Sequence, residues 1–222
     1  MGIAQAGLAF RPTSSIANLQ SFIANLCGED AAQIAHPNSK EFDIRRHTDV
    51  MVQFFGENCF ICNNDLVWDI LEHPRKDVGR TYRALGSLDM ILAFCLYESG
   101  GSYGYAFIEQ GKRTRSRLQT FGVPTLPPLL EHGIPKAFEQ RWLSADFYLD
   151  EDDDCPADER QKIYYQGGNR DTAVPEHALT RRLLDESLQM NFGVCPWATD
   201  VAPIYHFFKL SAKKKPWWRF TR

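Results

Sequence analysis

No uninterrupted apolar run in this chain is longer than residues 90–97. That is far short of the ~20 residues that cross a bilayer as a helix, so no membrane-spanning helix is expected. Catalytic signatures are equally scarce. No nucleophile elbow, dinucleotide fingerprint or H-E-x-x-H is read in the chain. Gly104 and Gly111-Lys112 have the look of a phosphate loop, but the glycines are too far apart and Arg113 follows the lysine. Cys59-Phe60-Ile61-Cys62 has no second C-x-x-C or His pair to complete a zinc site. On a strand its two thiols also point to opposite faces. His36, His47, His73, His132, His177 and His206 are scattered without metal-ligand spacing. No metal and no cofactor are expected.

A basic, apolar leader is missing from the first residues, so the expected location is cytoplasmic and the cysteines are expected to be reduced. Charge of one sign is not in excess overall. The 222 residues carry 25 Lys+Arg and 28 Asp+Glu, for a net −3. The average hides an asymmetry. Residues 213–222, KKKPWWRFTR, hold five positive and no negative charges, so the rest of the chain stands at −8. An acidic body makes nucleic acid an unfavourable partner for it.

What is present is the material of a core: 44% hydrophobic and 13% aromatic residues. Residues 1–11 read as a first strand. Thr13, Ser14 and Ser15 offer helix caps before Ile16, Leu19, Ile23 and Leu26, and Gly28 stops that helix. Residues 42–55 are strand-like, and a turn at 56–58 returns the chain as a hairpin. Asn63 and Asn64 cap a short helix. Residues 88–97 have the continuous apolar character of a central strand. Glycine turns then deliver residues 103–109 and 112–120 as an antiparallel meander. Residues 122–135, with four prolines, read as a long loop, and 137–143 as a short helix or an extended stretch. Pro175 opens the longest helix, in which Leu179, Leu183, Leu184 and Leu188 keep helical period to Gly193. Residues 204–210 read as a last strand. The expected fold is a single α+β domain over 1–210. It has a mostly antiparallel mixed sheet of six to eight strands and helices near 16–27, 64–72 and 176–191. Residues 211–222 form a basic, aromatic tail.

Three segments carry a resemblance. Residues 103–117, YGYAFIEQGKRTRSR, show a hairpin with a glycine turn followed by arginines. Residues 133–142, GIPKAFEQRW, show glycine-x-proline, then Phe-Glu, then Trp. A helix ending in Phe192-Gly193 follows. In this order the chain resembles a family of uncharacterised bacterial proteins with no assigned activity, over roughly residues 48–210. The resemblance implies a bacterial α+β domain and transfers no catalytic residue.

The candidate binding residues are Arg113, Arg115, Arg117, Glu139, Trp142, Trp217 and Trp218. Arg113, Arg115 and Arg117 alternate, so a regular strand would present all three from one face to a carboxylate, a phosphate or an acidic protein. The competing reading is a solvent face. Glu139 is either a carboxylate in a cleft or the partner of an arginine such as Arg115, with Trp142 packing beside it. Trp217 and Trp218 among lysines suit an anionic membrane surface, a single-stranded nucleic acid or a protein groove, the competing reading being that they fold back onto the body. The acidic run 150–154 lacks the glycine and distal glutamate of a calcium loop and reads as a solvated loop. With no complete catalytic set, the preferred function is a non-enzymatic protein-binding or regulatory domain, with an immunity-like protein that occludes a toxin as one form. The alternative is a small enzyme of unrecognised type built on Glu139 and Arg115, with Tyr105 or His132 assisting.

Overall fold

A computed structural model describes residues 2–35, 37, 41–151, 156 and 160–211. The α+β expectation holds. Nine strands form one sheet in the order β2-β12-β3-β4-β1-β5-β6-β7-β8, and three more form a second, in the order β11-β10-β9. Every neighbouring pair is antiparallel. Their spans are β1 (Ala4–Phe10), β2 (Ala31–Ile34), β3 (Asp49–Phe55), β4 (Asn58–Cys62), β5 (Met90–Tyr97) and β6 (Ser102–Glu109). They continue with β7 (Lys112–Gln119), β8 (Leu129–Gly133), β9 (Asp146–Leu149), β10 (Lys162–Gln166), β11 (Asn169–Pro175) and β12 (Ile204–Leu210). The helices are α1 (Leu19–Cys27), α2 (Trp68–Glu72), α3 (Gly79–Ala84), α4 (Ala137–Leu143) and α5 (Glu176–Phe192).

The sheet has two buried faces. On the first, Ala6, Leu8, Ile61, Ile91, Ala93 and Ile108 meet Ile23 and Leu26 of α1 and Ile70 and Leu71 of α2. On the second, Phe60, Phe94, Tyr105 and Phe107 meet Phe138 and Trp142 of α4 and Leu179, Leu183, Leu184 and Leu188 of α5. The leucine stripe of α5 thus faces the core as its period predicts. Cys59 falls in the first core and Cys62 in the second, so the C-x-x-C thiols are on opposite faces of β4. Burial pushes the Cys62 thiol up to about 12 and Cys59 further still, which leaves neither as a thiolate at neutral pH.

Several expectations need correction. Among the described residues the single mixed sheet of six to eight strands is instead an all-antiparallel sheet of nine with a second of three, and the helices number five rather than three. Between α1 and β3 lies β2, a strand the sequence does not announce, whose four residues pair with the distant β12. Residues 122–135, read as loop, contain β8, which pairs with β7. The prolines there bracket a strand, as befits a sheet edge. Residues 75–85 contain α3, started where the Asp77 carboxylate accepts from the Gly79 amide at 2.9 Å. Helix α1 begins at Leu19 instead of 16, because Asn18 rather than the hydroxyl run caps it, accepting from Ser21 N at 2.8 Å. Gly28 and Gly193 close α1 and α5 in left-handed conformation (φ 72° and 67°). Among the described residues, no helix is long and apolar enough to cross a membrane.

Candidate functional site

Three of the predicted residues converge beneath α4. Pro135 and an extended Lys136 lead into that helix, and Glu139, in its first turn, reaches back to accept from the Lys136 amide at 2.6 Å. The carboxylate is fully buried, at 0% exposure. Oε1 accepts from Arg115 Nε at 2.8 Å and from the Tyr105 hydroxyl, while Oε2 is 3.1 Å from Arg115 Nε. Arg115 is only 1% exposed. Its Nη2 donates to Glu131 Oε1, which also accepts from Arg117 Nη1 at 2.8 Å. Arg117 Nε donates to Thr180 Oγ1 of α5 at 2.9 Å.

The result is a closed network of two arginines and two carboxylates, so its charges balance. Burial pushes the Glu131 carboxyl up, but the hydrogen bonds and charges of Arg115 and Arg117 outweigh burial and hold it below the usual carboxylate range. Burial, reinforced by the Glu139 charge, drives the Tyr105 phenol far above its usual value. A general acid or base needs a reachable group whose proton affinity suits the reaction. Glu139 is sealed, both its oxygens are engaged, and Tyr105 holds its proton. Such an arrangement fixes α4, β6, β7 and β8 to one another.

Arg113 is not part of it. The expectation that three alternating arginines share a face fails because β7 is irregular. Phe107 pairs with Arg115 but Ile108 pairs with Arg113, which leaves Thr114 as an extra residue in the ladder. The bulge turns Arg113 to the first face, where Nη1 donates to the His73 carbonyl at 2.8 Å. His132 is also separated from Glu139. It pairs with Ser116, whose neighbour two residues on, Leu118, lies in the first core, so the imidazole belongs to the opposite face. Trp142 lies on α4 but looks toward α5. Its Nε1 donates to Glu186 Oε1 at 2.9 Å, and the Arg182 guanidinium rides over its ring. Trp217 and Trp218, the rest of the tail and most of the acidic run lie outside the described residues.

Sequence reasoning missed Glu131 and Thr180. The first was hidden in a proline-rich stretch read as loop, and the second was one more polar residue on a long helix. It also passed over residues 100–104, GGSYG, which fit the spacing G-x-S-x-G. Here Ser102 opens β6 in a strand–turn–strand hairpin and donates to Gly100 O at 3.4 Å. A nucleophile elbow needs a helix after the serine. Gly133, quoted above for its place in a motif, has a structural reason. It sits at φ 78°, and a Cβ there would lie 2.0 Å from the Thr114 carbonyl, so it is moulded against the bulge. Among the described residues, no group of three or more His, Cys, Asp or Glu side chains is placed to hold a metal ion.

Compared with family models, with curated proteins and with solved structures, the chain matches nothing.

Proposed function

We propose that this chain is a non-enzymatic protein-binding domain of a reducing, cytoplasmic setting. Occlusion of a toxin, as in an immunity protein, is one form of that activity. The observation that supports it is the saturation of Glu139. The one buried carboxylate that the sequence nominates for chemistry is consumed in holding the fold together. The described Cys59, Cys62, Cys95 and Cys195 carry free thiols, in keeping with that setting.

Binding then has to use other surface. The sheet ends at β8, whose outer edge has no partner strand among the described residues. Phe121 and Ile134, 82% and 79% exposed, lie just past the ends of β7 and β8. An edge strand offers main-chain hydrogen bonds, and apolar residues beside it offer anchors, which together suit an extended segment of another protein. A second copy suits it less well. Glu131, at the middle of the five-residue strand, would face its own copy in a symmetric antiparallel pairing.

The test is affinity capture from the native host with cross-linking and mass spectrometry. The expected result is a protein partner whose cross-links fall near 121–134 and which Phe121→Asp/Ile134→Asp loses while its circular dichroism is unchanged. Retention of the partner by that variant overturns the assigned surface. Turnover of a substrate panel by the wild type but not by folded Glu139→Gln overturns the non-enzymatic reading. The basic, aromatic segment 213–222 is proposed as a second contact, for anionic surfaces. Deleting it is expected to abolish binding to anionic vesicles at low salt.

A further inference from the structure

On the first face, away from the network, a cleft of about 270 Å³ opens between α1, the turn leading into α2, α3 and β7. Its polar lining is Asp65, Asp69, Lys76, Asp77, Arg80 and Arg113. Arg113 reaches it only because of the extra residue at Thr114. Bulges recur beside functional sites, where they re-aim a side chain. Arg113 also holds one of the few buried polar atoms left without a partner among the described residues. Its terminal nitrogens donate to the carbonyls of His73 and Lys76, but its buried Nε has no hydrogen-bond partner. A buried orphan donor in a native protein calls for an explanation, and a ligand that draws the guanidinium toward it is one.

The other charges sort by whether they are already used. Lys76 pairs with Asp69, and the Asp77 carboxylate accepts from Gly79 N. Among the described residues, the Arg80 guanidinium and the Asp65 carboxylate have no hydrogen-bond or ion-pair partner. Three acids and three cations make the lining neutral, with one cation and one acid unspent. A phosphate or a simple carboxylate would satisfy Arg80 and Arg113 but would also face Asp65. A simple amine would satisfy Asp65 but face the arginines. The volume equals that of roughly nine liquid water molecules, which sets the size.

We propose that this cleft binds a small neutral zwitterion of the α-amino-acid class, with its carboxylate toward Arg113 and Arg80 and its ammonium toward Asp65. Arginine suits a carboxylate because its planar fork matches both oxygens. The inference is separate from the protein-binding reading, since its readout needs no partner.

The test is a thermal-shift and calorimetric titration of the whole chain with the free amino acids. Inorganic phosphate, acetate and methylammonium at matched ionic strength are the controls. At least one amino acid is expected to raise Tm in a concentration-dependent way, and the three controls are not. Arg80→Gln and Asp65→Asn are each expected to weaken that binding by roughly tenfold or more while leaving the ligand-free Tm unchanged. These two are chosen because Arg113 also ties down the 73–76 turn. The proposal is overturned if no amino acid shifts Tm at millimolar concentration. It is also overturned if phosphate or acetate binds as well as the best amino acid, or if both variants bind like the wild type.

Discussion

On the first face of the large sheet, Leu8, Ile61, Ile91 and Ile108 meet the short helices α1 and α2. On the second, aromatic rings surround Arg115, Arg117 and Glu139, and further along the same face Asp49 is buried against Lys209. The buried charges of the described sheet and of α4 thus all stand on one side. The difference teaches how register is specified. An aliphatic face accepts many arrangements of similar volume. A face with paired charges accepts few, because a slip of one residue would carry Arg115 and Arg117 into the aliphatic core. The irregularity at Thr114 is where β7 serves both faces. It gives Arg113 to one and Arg115 to the other.

Four experiments break or sharpen this contrast. The largest effect is expected from Glu139→Gln, which leaves Arg115 buried with half its partner and should cost about 3–5 kcal/mol in urea denaturation. Replacing the pair together, Arg115→Met with Glu139→Leu, should be milder than the single change. A harsher double variant would mean that the second face depends on its charges for more than pairing. Next comes Gly133→Ala, where a positive φ and a collision with Thr114 O combine. A loss of at least about 1–3 kcal/mol is expected, and a smaller one would show that the bulge yields. On the first face, Ile61→Val should cost only about 0.5–1.5 kcal/mol, read as a shifted urea midpoint.

The smallest effect concerns pH. The folded Glu131 carboxyl is held below its ordinary value of 4.5, so its stabilisation is complete above that value and is lost as pH falls through the lowered one. Glu131→Gln should therefore flatten the acid limb of a stability profile, while Ile61→Val should lower the whole curve and leave the limb in place. Identical acid limbs in wild type and Glu131→Gln would remove this carboxylate from the account.

Much of this was legible in the sequence where one residue's signal agreed with its neighbours'. The meander of β5, β6 and β7 was marked by the continuous apolar run of β5 and by glycine turns, and α5 by its leucines and Gly193. The opposed thiols of β4 followed from strand geometry alone. The failures share a cause. Strands β2 and β8 are only four and five residues long, too short to carry a period, and β2 is set by a partner far along the chain. The bulge is invisible because alternation of Arg113, Arg115 and Arg117 is just what a regular strand would show. The Glu139–Arg115 pair was among the readings offered, but the sequence held no means of preferring it to an open cleft, since burial of a carboxylate is decided by what packs over it.

The placement of β12 has a consequence for how the chain is made. This last strand is not an addition to an edge. It lies between β2 and β3, so residues 204–210 must enter between segments about 150 to 180 residues earlier in the chain. Until the ribosome has released them, β2 has nothing to pair with and one side of β3 stays open. Such distant pairing slows folding and leaves a sticky edge in the meantime. Until residues 204–210 arrive the nascent sheet stays unclosed, and in that interval its open strand edges are what a chaperone would hold.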